Sequence, residues 1–192
     1  TGTLWEEVSR SYGPTGVDLV RVIARTVGTQ DVVSTTTPTD VFNVSVPGGS
    51  LGTQRALRIT AAFDFLQQTG SNQAVPTIDV QYGGTSAFKL NTFGTITSGA
   101  SRYGWILDVT ISAHNATNAQ SARGSVLMSS AGSVAGVATV QNGVNHLAVH
   151  NAMAVDSTAT QTFLIKITNP VANAAYSFRK LFAQLELLGA PA

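Results

Sequence analysis

The sequence predicts an all-β chain, an antiparallel jelly-roll-like β-sandwich with an N-terminal arm, and three observations carry that expectation. Apolar residues recur at every second position in run after run, the pattern of a strand with one buried face. Clusters of Gly, Pro, Ser and Asn with turn chemistry separate the runs. Roughly eight to ten such runs follow one another with no repeat of fixed period, the number a jelly roll or similar sandwich needs.

Thr3-Leu4-Trp5-Glu6 matches a capping box and predicts a short helix over 3–10, which Tyr12-Gly13-Pro14 ends. From Val17 to Val27 the run VDLVRVIARTV fits a helical stripe, yet its β-branched content and strand-rich context favour an extended segment. On a strand Arg21 and Arg25 share a face, either as solvated charges or as contacts of an arm with a neighbour. A Thr/Ser/Pro linker spans 34–39, and the compact domain is expected to start near residue 31. That divides the chain into an arm or attachment segment, 1–30, and a sandwich domain, 31–192.

The stretch Val41 to Phe65 shows the plan of the rest: VFNVSVP, a Gly-rich turn, then RALRITAAFDF. Leu57, Ile59, Ala61, Phe63 and Phe65 share one parity, and so do Phe42, Val44 and Val46, which reads as a half-buried hairpin or arch. QQTGSNQAVP reads as a loop. Ile78, Val80 and Tyr82 then alternate up to Gly83-Gly84, and SAFKLNTF returns as the second arm of a hairpin. Further strands are expected at Trp105 to Ile111, at SVLM (125–128) and at Phe163 to Ile167. The closing run AYSFRKLFAQLELLG, with Leu181, Ala183, Leu185 and Leu187, is read as a strand rather than a helix. The expected core is Leu57, Ile59, Phe63, Ile78, Val80, Trp105, Leu107, Val109, Phe163, Ile165 and Leu185.

Only 11% of the residues are charged, under half of the ~25% usual for soluble domains. The surface is therefore mostly hydroxyl and amide, which costs less to bury between subunits than Lys or Glu does. Net charge is +1 with no basic or acidic block, so the electrostatic footprint for nucleic acid or an anionic membrane is missing. The absence of Cys removes disulfides, thiolate metal sites and cysteine nucleophiles. No apolar run reaches the ~20 residues of a transmembrane helix.

Candidate sites are few. Gly48-Gly49-Ser50-Leu51-Gly52 is a literal G-x-S-x-G, but a nucleophile elbow needs a helix after the Ser, and the segment that follows alternates with period two. A Gly-rich turn accounts for it. His146 and His150 have the spacing of a metal pair on a helix, whereas on a strand they stand ~13 Å apart. The intervening residues, LAV, lack the Glu of a zincin, and His114 stands alone. Asp64, Asp79 and Asp108 each fall on the polar face of a different strand; a pair brought within ~5 to 9 Å could do glycosidase chemistry. Asn43-Val44-Ser45 and Asn115-Ala116-Thr117 match the glycosylation sequon. Trp5, Tyr12 and Tyr103 are the aromatics that a carbohydrate-binding surface could use. No catalytic, cofactor-binding or metal site is assigned, and no cofactor is expected.

VSVPGGSLGTQRALRI resembles the stretch "vtiPantLGtnraLRi" of many tailed-bacteriophage virion proteins. IDVQYGGTSAF is similar to their "lkvkyGgttlf" hairpin, and QTFLIKITNPVANAAYSFRKLFAQLELL to their closing strands, so the likeness spans about Val41 to Leu188. The resemblance implies a jelly-roll virion component, non-enzymatic, of the decoration, head-fibre, tail or baseplate type. It further implies assembly as a homotrimer with other virion proteins as partners. The competing class is a carbohydrate-binding or receptor-binding module of a tail fibre or spike, whose partner is a host-surface glycan. The motifs are turn glycines and core alternation, so the resemblance transfers no functional residue.

Overall fold

A computed structural model of the chain describes residues 20–90, 95–96, 98–100, 102–128 and 147–189. Every regular element among them is a strand: β1 (Val20–Val33), β2 (Thr39–Val46), β3 (Ala56–Gln67), β4 (Gln73–Ala74), β5 (Thr77–Tyr82), β6 (Thr85–Leu90), β7 (Thr95–Ile96), β8 (Tyr103–Ala113), β9 (Gln120–Met128), β10 (Leu147–Met153), β11 (Gln161–Thr168) and β12 (Tyr176–Leu188). The order β1-β12-β3-β8-β9-β10 makes a six-stranded sheet and β2-β11-β5-β6 a four-stranded one, with β4 and β7 as a short ribbon.

All pairing is antiparallel, and it nests: β1 with β12, β2 with β11, β3 with β8, β5 with β6. The chain is thus one long hairpin whose two arms run together and alternate between sheets. Lateral pairing of β12 with β3 and of β11 with β5 rolls that hairpin into a jelly roll. β9 and β10 widen the six-stranded sheet beyond β8.

The two inner faces form the core. All eleven residues expected there are buried, together with Phe65, Tyr82, Phe88, Tyr176 and Phe178. Phe65 is the hub of the aromatic end, with Tyr103 stacked on it at 5.2 Å, Trp105 edge-on at 5.8 Å and Tyr176 tilted at 5.5 Å. Gly124 makes room for this layer elsewhere, since a Cβ there would lie 2.4 Å from the Phe88 ring.

Several expectations change against these strands. The domain boundary near residue 31 falls inside β1, whose residues from Val20 onward pair with β12, so residues 20–30 belong to the sandwich's own sheet. The Val17–Val27 ambiguity resolves to strand over the residues described, because β-branched side chains fit a pleated surface. β2 and β3 lie in different sheets, which makes the Val41–Phe65 pair an arch. The hairpin at Gly83-Gly84 is present, both glycines holding the positive φ (56° and 76°) that a type I′ turn demands. The expected helix over 3–10, residues 1–19 as a whole and the run 129–146 lie outside the described residues.

β12 departs from simple alternation. Tyr176, Phe178 and Lys180 point inward, then Ala183, Leu185 and Leu187 do, and the register against β3 slips between Lys180 and Phe182. Leu181 is the extra residue of a β-bulge, and it switches the inward parity from even to odd. The bulge leaves Lys180 beside Phe63 in the inner face, 7% exposed, with its Nζ 3.4 Å from Thr26 Oγ1. Burial holds this ammonium below the usual lysine range.

Two predictions follow from this core. Ile59→Asp places an unpaired carboxylate in a fully buried layer at a cost of several kcal/mol, comparable to the stability of a domain; circular dichroism should find no cooperative melt. Lys180→Met should stabilise the fold by on the order of 1 kcal/mol at neutral pH, since the charge is buried with one long hydrogen bond. The folded-state pKa is the lower one, so the penalty is full below it and fades as pH rises toward the unfolded value. The melting-temperature gap between variant and parent should accordingly shrink on going from pH 7 to the alkaline range.

Candidate functional site

The G-x-S-x-G segment is the corner where the chain leaves β2 for β3. Gly48 lies against the β10–β11 connection: a Cβ there would come within 2.2 Å of the Thr158 carbonyl oxygen. The Gly49 amide donates to Ser157 O at 2.8 Å, and Gly49 holds φ +77°. Ser50 N closes the turn on Pro47 O at 3.2 Å, and the Ser50 carbonyl accepts from Arg55. Leu51 is fully buried, and turns lead straight into β3. With no helix to lift the Ser, the segment is a corner clamp.

His150 sits on β10, while His146 lies outside the described residues. His114, expected to stand alone, has Ser121 Oγ at 2.6 Å from Nε2. Among the described residues no group of three His, Cys, Asp or Glu could hold a metal ion, and no helix is long and apolar enough to cross a membrane. Asn43 projects from β2 toward Asp40 Oδ2 at 3.4 Å, and Asn115 occupies a turn at φ 55°. Tyr103 is half-buried on Phe65 because it shares the inward parity of Trp105 and Leu107. Trp5 and Tyr12 lie outside the described residues.

The three aspartates do not converge. Asp64 and Asp108 share the outer face of the six-stranded sheet, but Asp108 stands opposite Thr60, four residues along β3 from Asp64. That separation is ~13 Å at the usual strand rise, beyond the reach of a glycosidase pair. Asp108 receives Arg58 Nε at 2.9 Å, and Asp64 is ion-paired to Arg102. The Arg58 guanidinium is held above its ordinary range, first by its hydrogen bond to Asp108 and then by the charge itself. Asp79 lies on the other sheet and accepts from Gln81 Nε2 and Ser86 Oγ, each at 2.7 Å. Asp31 pairs with Arg179 Nε at 2.7 Å. These carboxylates are cross-strand ties.

Two outer faces therefore remain as functional surfaces. On the four-stranded sheet the register aligns Asp40, Lys166, Asp79 and Lys89 in one alternating row, beside Asn43, Leu164, Gln81 and Ser86. On the six-stranded sheet it aligns Val27, Phe182, Ala62, Ile106 and Leu127 in an apolar row that crosses five strands. Sequence reading missed this row, since its members come from five separate runs. Two local signals pointed to it: Ile106 breaks the polar parity of β8, and Leu181-Phe182 puts two apolar side chains side by side in β12.

No protein-family model and no curated protein sequence matches the chain. Among solved structures it is similar to the CBM2 module of the evolved Dit of Lactobacillus casei BL23 phage J-1, at 9% identity over 78% of this chain and 70% of that one, with a TM-score of 0.38. It is also similar to winged bean acidic lectin complexed with methyl-α-D-galactose, at 9% identity over 82% and 81% with a TM-score of 0.40. Lectin II from Ulex europaeus gives 11% identity over 90% and 100%, again at 0.40.

The corner clamp makes a direct prediction. Gly48→Ala should destabilise the fold by roughly 1–3 kcal/mol, as overpacking against fixed backbone does, whereas Ser50→Ala should leave the melting temperature within a degree or two. A fluorophosphonate probe should label neither the parent chain nor the Ser50→Ala variant; labelling at Ser50 would make it a nucleophile.

Proposed function

We propose that this chain is a non-enzymatic structural module of a tailed-bacteriophage virion, either a capsid-associated component of the decoration or head-fibre type or a component of the tail. The observation that carries the non-enzymatic reading is the use made of its carboxylates. Asp31, Asp64 and Asp108 are each tied to an arginine and Asp79 to an amide and a hydroxyl, so they brace the sheets and are held apart from one another. The virion reading is supported by the resemblance of Val41 to Leu188 to phage virion proteins. Its three quoted stretches fall on the arch β2–β3, the hairpin β5–β6 and the strands β11–β12, the parts that roll the sheet closed.

Quantitative mass spectrometry of purified particles tests this reading. A copy number matching the capsid lattice supports a head role, and a few copies per particle support a tail role. Absence from particles overturns both.

A second reading, a glycan-binding or receptor-binding module of a tail fibre or spike, is favoured by the outer face of the four-stranded sheet. There Asn43, Gln81, Ser86, Asp79 and Lys166 present amide, hydroxyl and charged groups side by side, the mixture of donors and acceptors that sugar hydroxyls match. Host surface polysaccharide binding that is lost in Gln81→Ala and Lys166→Ala, with the fold intact, would establish it. No binding at millimolar sugar would remove it.

A further inference from the structure

We propose that the outer face of the six-stranded sheet docks onto the same face of a second copy of this chain, about a two-fold axis that runs along the apolar row Val27–Phe182–Ala62–Ile106–Leu127. This contact goes beyond the virion reading and does not depend on it.

The row is built by register. Val27 stands opposite Phe182, Phe182 opposite Ala62, Ala62 opposite Ile106 and Ile106 opposite Leu127. Val27 is 75% exposed, Ile106 51% and Leu127 37%, and the bulged Leu181 adds a further 37%. The Arg25 guanidinium lies 5.4 Å above the Phe182 ring and covers part of it. Over five strands the row is ~19 Å long, and with the rows on either side it makes a patch on the order of 500 Å². A patch of that size on each copy suits a weak, reversible interface.

Charge placement selects a second copy as the occupant. On one side of the row the register sets Arg25, Gln184, Thr60, Asp108 and Ser125; on the other it sets Asp31, Arg179, Asp64 and Gly104. A two-fold axis along the row lays each flank over the opposite flank of the other copy. Asp31 then faces Arg25, Arg179 faces Gln184, Asp64 faces Thr60, and Asp108 faces the side-chain-free Gly104. Opposite charges meet at both ends of β1, and like charges never oppose each other in these rows. A two-fold axis parallel to the strands and directly over β3 would set Asp64 against Asp64 and, one row further out, Arg58 against Arg58, which is repulsive. The face is self-complementary about the row axis. A contact of this kind is isologous and yields a dimer, in contrast to the head-to-tail contact of a three-fold ring.

Sedimentation velocity on the full chain over a concentration series should show a monomer–dimer equilibrium, and Ile106→Glu should weaken it at least tenfold while circular dichroism stays unchanged. Because the chain has no Cys, an Ala62→Cys variant supplies an independent check at the axis. A short bis-maleimide should link two copies of it, and should leave a Ser45→Cys variant, on the outer face of the other sheet, unlinked. The proposal is overturned by a chain that stays monomeric throughout, by a dimer indifferent to Ile106→Glu, or by a trimer. An Ala62→Cys variant that is monomeric and resists maleimide excludes the dimer as well.

Discussion

Everything in this structure depends on β12 lying between β1 and β3. The last strand of the chain is hydrogen-bonded along its length to the first strand described on one side and to the third on the other. Its inward residues Leu185 and Leu187 stand opposite Ile59 and Leu57, and Phe178 stands opposite Phe65. Antiparallel pairing over so large a sequence separation has a high entropic cost before any contact rewards it. The apolar column down the middle of the sheet offsets that cost. The four-stranded sheet β2-β11-β5-β6 packs over this sheet as the second layer, and the corner at Gly48 leans on the connection that precedes β11.

The same closure explains why the polar groups are ties. Arg58 on β3 reaches Asp108 on β8, Arg102 just before β8 reaches Asp64 on β3, and Arg179 on β12 reaches Asp31 on β1. Each spans neighbouring strands of the six-stranded sheet and lies on its solvent side. The exposed pairs Arg58–Asp108 and Arg179–Asp31 add little stability, and all three fix register, because a slip of one residue would face each charge inward. A sheet laced in this way is stiff and presents its outer face as a fixed pattern, which is what an assembly surface needs.

Much of this was legible in the sequence and some of it was not, for identifiable reasons. The shared parity of the large apolar residues in 57–65 and, Ile106 apart, in 105–111 disclosed the core faces, and Gly83-Gly84 disclosed a hairpin, because period and turn chemistry are local properties. The bulge at Leu181 was invisible: Tyr176 and Phe178 have the opposite parity to Leu185 and Leu187, and only pairing with β3 shows where the switch falls. The boundary near residue 31 came from a Thr-rich linker and a change of pattern, whereas tertiary pairing of Val20–Val33 with β12 overrode both. The apolar row escaped for a related reason, being a feature of register across five strands. Likewise Asp64 and Asp108 were correctly placed on polar faces, but their separation follows from the stagger of β3 against β8, which no single run encodes.

On the proposed reading the chain acts through a rigid sheet face within an assembled particle and carries out no reaction. Cryo-electron microscopy of the intact virion tests it most directly. That reading predicts density for the jelly roll in symmetry-related copies, with Val27, Ile106 and Leu127 buried in a contact. A map in which the domain is missing, or in which it stands clear with that face bare to solvent, would contradict it.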